Sequence, residues 1–220
     1  DPCLALRAAV AAAEFGLPIA PGTLQNLKSC PIDDRTWNDE SRSLFLRLLA
    51  SGPALLQVWE EIDFVDIPGR LIPEWLAIRN RPSASAAHRY TIDRHSVEVV
   101  TRLGRETPRG NRYDDRHYQA LLLAGILHDV GKRPGVADHA AEGARHASMV
   151  LKRMGFDRDI IWWVTLLVRE HLTLSEFATG QNPNDPNVGD ELASRLDHDP
   201  LLLDMLFDLT RADGSSLGAT

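Results

Sequence analysis

Apolar residues recur at helical spacing along most of this 220-residue chain, and no region alternates convincingly between apolar and polar residues. We therefore expect an all-α fold, a helical bundle with few strands or none. Helices are predicted at residues 4–15, 43–49, 54–64, 91 to about 106, 115–127, 138–154, 157–171, 185–195 and 199 to about 213.

Several predicted helices begin at an aspartate, a residue whose carboxylate can accept from free amides in the first helical turn. The residues expected to do this are Asp115, Asp138, Asp157 and Asp199. Residues 67–75 break the helical pattern, and residues 81–85 resemble an exposed loop. We place a boundary near residue 80, between a smaller helical segment, 1–80, and a larger unit, 81–220.

Composition narrows the class of protein. Hydrophobic residues make up 44% of the chain and charged residues 25%, which is typical of globular proteins. No apolar run approaches the roughly 20 residues that cross a bilayer. The formal net charge of −7 argues against broad attraction to nucleic acid or anionic lipid. We therefore expect a protein in solution, with no nucleic acid or membrane partner.

The two cysteines, Cys3 and Cys30, form neither a C-x-x-C pair nor a disulfide framework. A reducing cytoplasm suits them best. Because the sequence opens at Asp1-Pro2 without an initiator methionine or a leader, we expect it to be an internal piece of a larger protein.

The strongest chemical signal is the apolar run at residues 121–127, which is followed directly by His128 and Asp129. Neighbouring side chains of a regular helix diverge by about 100°, so both can reach one metal ion only where the helix ends. We expect Gly131 to provide that end. Imidazole and carboxylate together suit Mn, Fe, Co or Zn, with Mg also possible.

Further ligands are expected among polar residues on the apolar stripes of other helices. Four residues meet this condition: His95, His139, His171 and Asp213. A buried carboxylate is costly without a partner, and a metal ion is one of the few partners that relieve the cost. Taken singly, each histidine is more often a hydrogen-bonded core residue, so the prediction depends on the His128-Asp129 pair.

The other histidines are not expected to bind this ion. His117 lies 11 residues from His128, roughly 16 Å along a helix axis. His146 is about two turns from His139, and His88 and His198 lie in predicted loops.

With its H, HD, D order of ligands, the sequence resembles the HD superfamily of metal-dependent phosphohydrolases. The matching residues are His95, His128, Asp129 and Asp213. Some members bind a second ion through two histidines between HD and the last aspartate, and His139 and His171 match those positions. The resemblance thus implies one or two divalent ions, with Asp129 able to bridge them.

The flanking segments 71–75, 88–95, 138–144 and 170–172 are similar, as an ordered set, to the uridylyl-removing region of bifunctional PII uridylyltransferases. This resemblance implies that residues 81–220 are the HD phosphohydrolase domain. Residues 1–80 would be a helical linker toward a nucleotidyltransferase domain, whose G-S and D-x-D motifs we do not find in this chain.

The implied reaction is metal-dependent hydrolysis that removes a nucleotidyl group, UMP or AMP, from a tyrosine of the PII nitrogen-signalling protein. His128 and Asp129 would be central to catalysis, and Lys132 would contact the phosphate. Arg94 and Arg133 are weaker candidates for that contact, and Glu142 and Glu170 are candidates for supporting the ligands.

Two alternatives remain open. The chain could be another HD nucleotide phosphohydrolase, or a non-catalytic regulatory helical module. The sequence does not choose the metal, the general base, the nucleotide or the oligomeric state.

Overall fold

The computed structural model describes residues 3–33, 36–83, 89–107, 112–182 and 185–217. It confirms the all-α fold: within these residues there is no strand, only an isolated antiparallel bridge between Pro82 and Thr91. The α-helices are α1 (Leu4–Phe15), α2 (Pro21–Lys28), α3 (Asp39–Leu49), α4 (Ala54–Phe64), α5 (Ile67–Leu71), α6 (Ile92–Glu106), α7 (Asp115–Leu127), α8 (His139–Met154), α9 (Arg158–Glu170), α10 (Thr173–Gly180), α11 (Pro186–Arg195) and α12 (Pro200–Ser215).

Helix α7 lies at the centre of the bundle. Every residue of its stretch 120–127 is buried, which explains the apolar run in the sequence. Helices α6 and α9 pack against α7, α8 packs along α9, and α12 crosses α6. These contacts bring the ends of helices that are distant in sequence to the carboxyl end of α7.

The four helices predicted to begin at an aspartate cap start within one residue of the predicted positions, but one of the four capping residues was wrong. Asp138, Asp157 and Asp199 cap α8, α9 and α12 through their side chains, as expected. Helix α7 is capped instead by Asp114, whose carboxylate accepts from the amide of His117. Asp115, the predicted cap, is the first residue of the helix itself.

The helical spacing of apolar residues did not predict the short helices. Residues 67–75, expected to break it, form α5 and a 3₁₀ helix at Pro73–Ala77. Helices α2 and α10 were not predicted, and α3 begins at Asp39 rather than near residue 43, with a capping box between Asn38 and Ser41. Five to eight residues are too few to show a helical period, so their neighbours decide their structure.

The boundary near residue 80 stays a prediction. Buried apolar residues on both sides of it belong to one contiguous core, and α3 and α4 pack against α6 and α7. Cys3 and Cys30 are both buried, and neither forms a disulfide within the described residues. Among the described residues, no helix is both long and apolar enough to span a bilayer.

Candidate metal centre

His128 and Asp129 lie where α7 ends. His128 is the C-cap residue, and the turn that follows carries Asp129 out of the helical register. Both are buried, with 0% and 1% of their surface exposed. The His128 Nδ1 atom donates to the carbonyl oxygen of Gly125 at 2.8 Å, since a carbonyl can only accept. The His128 Nε2 atom is therefore the one that can bind a metal ion.

The reason for glycine at position 131 differs from the one expected. Gly131 does not adopt the left-handed conformation that ends many helices. A Cβ atom there would instead lie 2.1 Å from the carbonyl oxygen of His139 and 2.4 Å from the amide nitrogen of Gly143. Glycine thus allows the start of α8 to pack directly on the His128-Asp129 turn.

Helices α6 and α12 meet through His95 and Asp213. His95 Nε2 lies 2.8 Å from Asp213 Oδ1, and His95 Nδ1 lies 3.0 Å from the carbonyl oxygen of Ser216. Both ring nitrogens thus face oxygen acceptors, which requires positive charge between Nε2 and the carboxylate. A proton or a metal ion supplies it.

His171 and His139 approach from the opposite side. His171 directly follows α9 and is 1% exposed, and its Nδ1 donates to the carbonyl oxygen of Val168 at 2.7 Å. His139 begins α8 and is only partly buried. The imidazole centroids form a row, with 5.4 Å between His95 and His128, 5.3 Å between His128 and His171, and 5.5 Å between His171 and His139.

The six side chains form two adjoining groups of three. One group is His95, His128 and Asp213, and the other is Asp129, His139 and His171; in each, one ligand atom per residue lies within 4.8 Å of the others. Asp129 also faces the first group, because its Oδ2 lies 3.4 Å from His128 Nε2 while its Oδ1 lies 3.7 Å from His171 Nε2. This position allows its carboxylate to bridge two ions.

The site holds buried polar atoms that lack hydrogen-bond partners. These atoms are His128 Nε2, Asp129 Oδ1, His139 Nε2 and His171 Nε2. Such atoms cost free energy unless something binds them. Imidazole nitrogens and carboxylate oxygens converging in this way suit a borderline or moderately hard divalent ion, so the residues fit a metal centre.

The electrostatics keep the carboxylates ionised. Burial alone would raise the pKa of Asp129, but His128, Lys132 and His171 outweigh it and hold the pKa well below its usual value. Burial likewise opposes ionisation of Asp213, yet the hydrogen bond from His95 and the charge of His128 lower its pKa. Burial lowers the pKa of His171 to about 4, which leaves it neutral and able to bind a metal ion at neutral pH.

The remaining predicted residues differ in their distance from this centre. Lys132 lies beside it, with Nζ 2.7 Å from Asp129 Oδ2. Arg94 instead pairs with Glu60 and Glu98, neither of which is a proposed metal ligand. Within the described residues, Arg133 has no hydrogen bond or ion pair with a proposed metal ligand, and its Nε atom is buried without a hydrogen-bond partner.

The predicted supporting carboxylates face other partners. Glu142 pairs with Arg145 and His146, neither of which is a proposed metal ligand. Glu170 accepts from Thr173 Oγ1 at 2.7 Å and lies 3.4 Å from Arg195 Nη1.

Three further histidines, His117, His146 and His198, belong to neither of the two groups. His117 pairs with Asp114 and stacks on Trp163. His146 is buried beside Glu142, and His198 is exposed. His88 lies outside the described residues.

A groove of about 560 Å³ beside His139 was not anticipated. Arg169, Glu170, Thr173 and Arg195 line it together with His139. Arg195 comes from α11, whose sequence shows no link to α8 or α9. In the sequence, Arg195 is recognisable only as a basic residue in the last turn of an amphipathic helix. Such a residue usually interacts favourably with the helix dipole.

Comparison with known proteins agrees with this geometry. The HD domain family model matches residues 92–203. The bifunctional uridylyltransferase/uridylyl-removing enzyme of Mycobacterium tuberculosis is 37% identical over 219 residues, which is 99% of this chain and 26% of that protein. The enzyme of the same name from Streptomyces coelicolor is 38% identical over 220 residues, 99% of this chain and 25% of that protein. The chain thus spans about a quarter of the length of these curated relatives. With half of its residues matched by the family model, the chain belongs to the HD domain family.

Proposed function

We propose that this chain is a metal-dependent phosphodiester hydrolase that removes a nucleotidyl group, UMP or AMP, from a tyrosine of the PII signalling protein. The observation that best supports this proposal is the pair of adjoining ligand groups, both of which the carboxylate of Asp129 faces. Membership of the HD domain family and relatives named uridylyl-removing enzymes support the hydrolase and its substrate.

The six proposed ligands would divide between two ions. His95, His128 and Asp213 would hold one, His139 and His171 the other, with Asp129 between them. Divalent ions in such a site supply an acidified water as nucleophile and offset negative charge on the phosphoryl oxygens. The ions expected from these ligands are Mn, Fe, Co or Zn, with Mg possible.

The chain's own residues prepare the site. Backbone carbonyls at Gly125 and Val168 hold the rings of His128 and His171 with Nε2 toward the centre. Lys132, whose side chain is 23% exposed, can turn from Asp129 toward a phosphoryl oxygen. The groove beside His139, with Arg169 and Arg195 in its walls, would give the phosphodiester a route to this side of the site.

We also propose that residues 81–220 form the hydrolase unit and residues 1–80 a helical linker. The family match at 92–203 lies wholly within the first of these. The contiguous core explains how the linker helices α3 and α4 would brace α6 and α7.

The test is to incubate the chain with nucleotidylated PII and each metal ion, and to identify the released mononucleotide by mass. We expect UMP or AMP from the wild type and none from His128→Ala. Hydrolysis of free nucleotides alone would indicate another HD nucleotide phosphohydrolase. A metal-loaded chain that hydrolyses neither would indicate a regulatory helical module.

A further inference from the structure

A second cavity, separate from the metal centre, lies between α4, the 3₁₀ helix and the first turns of α6. Its volume is about 270 Å³. Apolar walls come from Leu56, Val97 and the rings of Trp59 and Trp75. None of the six proposed metal ligands lines it, so the proposed hydrolysis does not account for it.

Two of the residues that line this cavity, Trp59 and Trp75, carry unpaired donors. Trp59 and Trp75 are 4% and 1% exposed, and their ring centroids lie 5.3 Å apart in an edge-to-face arrangement. The Nε1 atom of each is buried and has no hydrogen-bond partner. A buried indole N–H group usually donates a hydrogen bond, so each of these two needs a hydrogen-bond acceptor.

Two aspartates that line the same cavity, Asp63 and Asp93, each have a carboxylate oxygen that lacks a donor. Asp63 Oδ2 accepts from Arg79 Nε at 3.0 Å, and Asp93 Oδ2 accepts from the amide of Asn80 at 2.8 Å. The second oxygen of each carboxylate, Oδ1, is buried without a partner. Asp93 as a whole is 8% exposed, so bulk water does not readily satisfy it.

The cationic side chains nearby are already paired. Arg94, which lines the cavity, forms ion pairs with Glu60 and Glu98. Arg79 pairs with Asp63 and Asp66. Within the described ranges, Asp93 has no ion pair with lysine or arginine, and the cavity keeps excess negative charge.

We propose that this cavity binds a small organic amine that also carries an oxygen acceptor. Its protonated nitrogen would donate to Asp63 Oδ1 and Asp93 Oδ1, and its oxygen would accept from the two indole N–H groups. Its carbon atoms would contact the apolar walls, where the tryptophan rings also attract a cation. A bare metal ion fits less well, because it offers nothing to the indole donors.

The test uses ethanolamine as the probe and the ¹⁵N indole signals of the whole chain as the readout. Trp59→Phe and Trp75→Phe assign the two signals, and Trp162, exposed on α9, provides a reference. We expect saturable shifts of the Trp59 and Trp75 signals at neutral pH, without a shift of the Trp162 signal. 1-Propanol, which is similar in size but uncharged, should produce no saturable shift.

Asp93→Asn should weaken ethanolamine binding at least tenfold, since it removes charge but leaves an oxygen to accept from Asn80. Asp190→Asn, at an exposed position on α11, is the charge-matched control and should bind like the wild type. If Asp93→Asn does not fold by circular dichroism, Asp63→Asn takes its place.

Absence of saturable shifts in the wild type would mean that the cavity holds only water and would overturn the proposal. Equal binding by the wild type and the aspartate variant, or equal shifts with 1-propanol, would overturn it as well.

Discussion

Lys132 Nζ lies 2.7 Å from Asp129 Oδ2, so an ammonium group contacts the carboxylate that stands between the two groups of proposed ligands. Asp129 is 1% exposed whereas the Lys132 side chain is 23% exposed. The buried partner is therefore fixed, while the lysine has room to exchange it for a substrate oxygen.

Lys132→Met should lower turnover of the nucleotidylated substrate by about tenfold or more, because one charge-assisted contact to a phosphoryl oxygen contributes on the order of 1.5–3 kcal/mol. Metal content should remain that of the wild type, since Lys132 is not a proposed ligand. Steady-state kinetics and elemental analysis of the same samples check both. The control is Lys152→Met, at an exposed position on α8. Unchanged turnover in Lys132→Met would exclude the phosphate contact.

His139→Ala should remove one of two bound ions and leave the other. His139 belongs to the group of Asp129 and His171, whereas the other group keeps all three members. Elemental analysis after exhaustive dialysis measures the ratio of metal to protein. His198→Asn is a suitable control, because His198 is exposed with a positive φ of 57° that asparagine tolerates. An unchanged ratio in His139→Ala would argue against a second ion at this position.

Gly131→Ala should destabilise the fold by about 1–3 kcal/mol, the usual cost of forcing an extra carbon into a packed site. The new Cβ would collide with the His139 carbonyl oxygen and the Gly143 amide, so α8 would have to move. Urea unfolding measures the loss. Gly189→Ala is the matched control, because a Cβ there meets nothing within 4 Å on exposed α11. It should leave stability unchanged or raise it by up to about 1 kcal/mol. Equal stabilities of the two variants would contradict the packing argument.

The ion pair of Glu74 with Arg153 should make stability depend on pH. Burial would raise the pKa of Glu74, but two hydrogen bonds from Arg153, at 2.9 and 2.6 Å, outweigh it and lower the pKa below 4.5. Because the folded pKa is the lower one, the pair contributes fully above 4.5 and loses its contribution as pH falls toward the folded value.

Glu74→Gln should therefore cost about 1–3 kcal/mol at pH 7, and the difference from the wild type should shrink below pH 4.5. Denaturant unfolding at a series of pH values measures it. Glu14→Gln disrupts an ion pair with Arg47 that is about half exposed, so it should cost at most about 1 kcal/mol. A difference for Glu74→Gln that stays constant with pH would contradict the ionic contribution.

Long amphipathic helices and most of their aspartate caps were predictable, because burial imposes a period and free amides need acceptors. The same stripes predicted that His95, His139, His171 and Asp213 point inward, and the structure brings them together with the His128-Asp129 turn. Whether these residues bind metal stays a proposal.

Features that depend on contacts between distant segments were not predictable. The role of Gly131 arises from α8, and the carbonyls that orient His128 and His171 become evident only in the folded chain. Arg195 reaches the groove beside His139 from a helix with no sequence link to it. Likewise, the cavity lined by Trp59 and Trp75 lies between segments that share no sequence motif.

The most direct test of the metal centre is elemental analysis of the wild type and Asp129→Ala after loading with Mn, Fe, Co or Zn, with Asp190→Ala as the control for lost charge. Because Asp129 faces both groups of ligands, its removal should reduce the bound metal to a small fraction of the wild-type ratio and abolish hydrolysis, while circular dichroism stays unchanged. A wild-type metal ratio in folded Asp129→Ala would contradict the proposed centre.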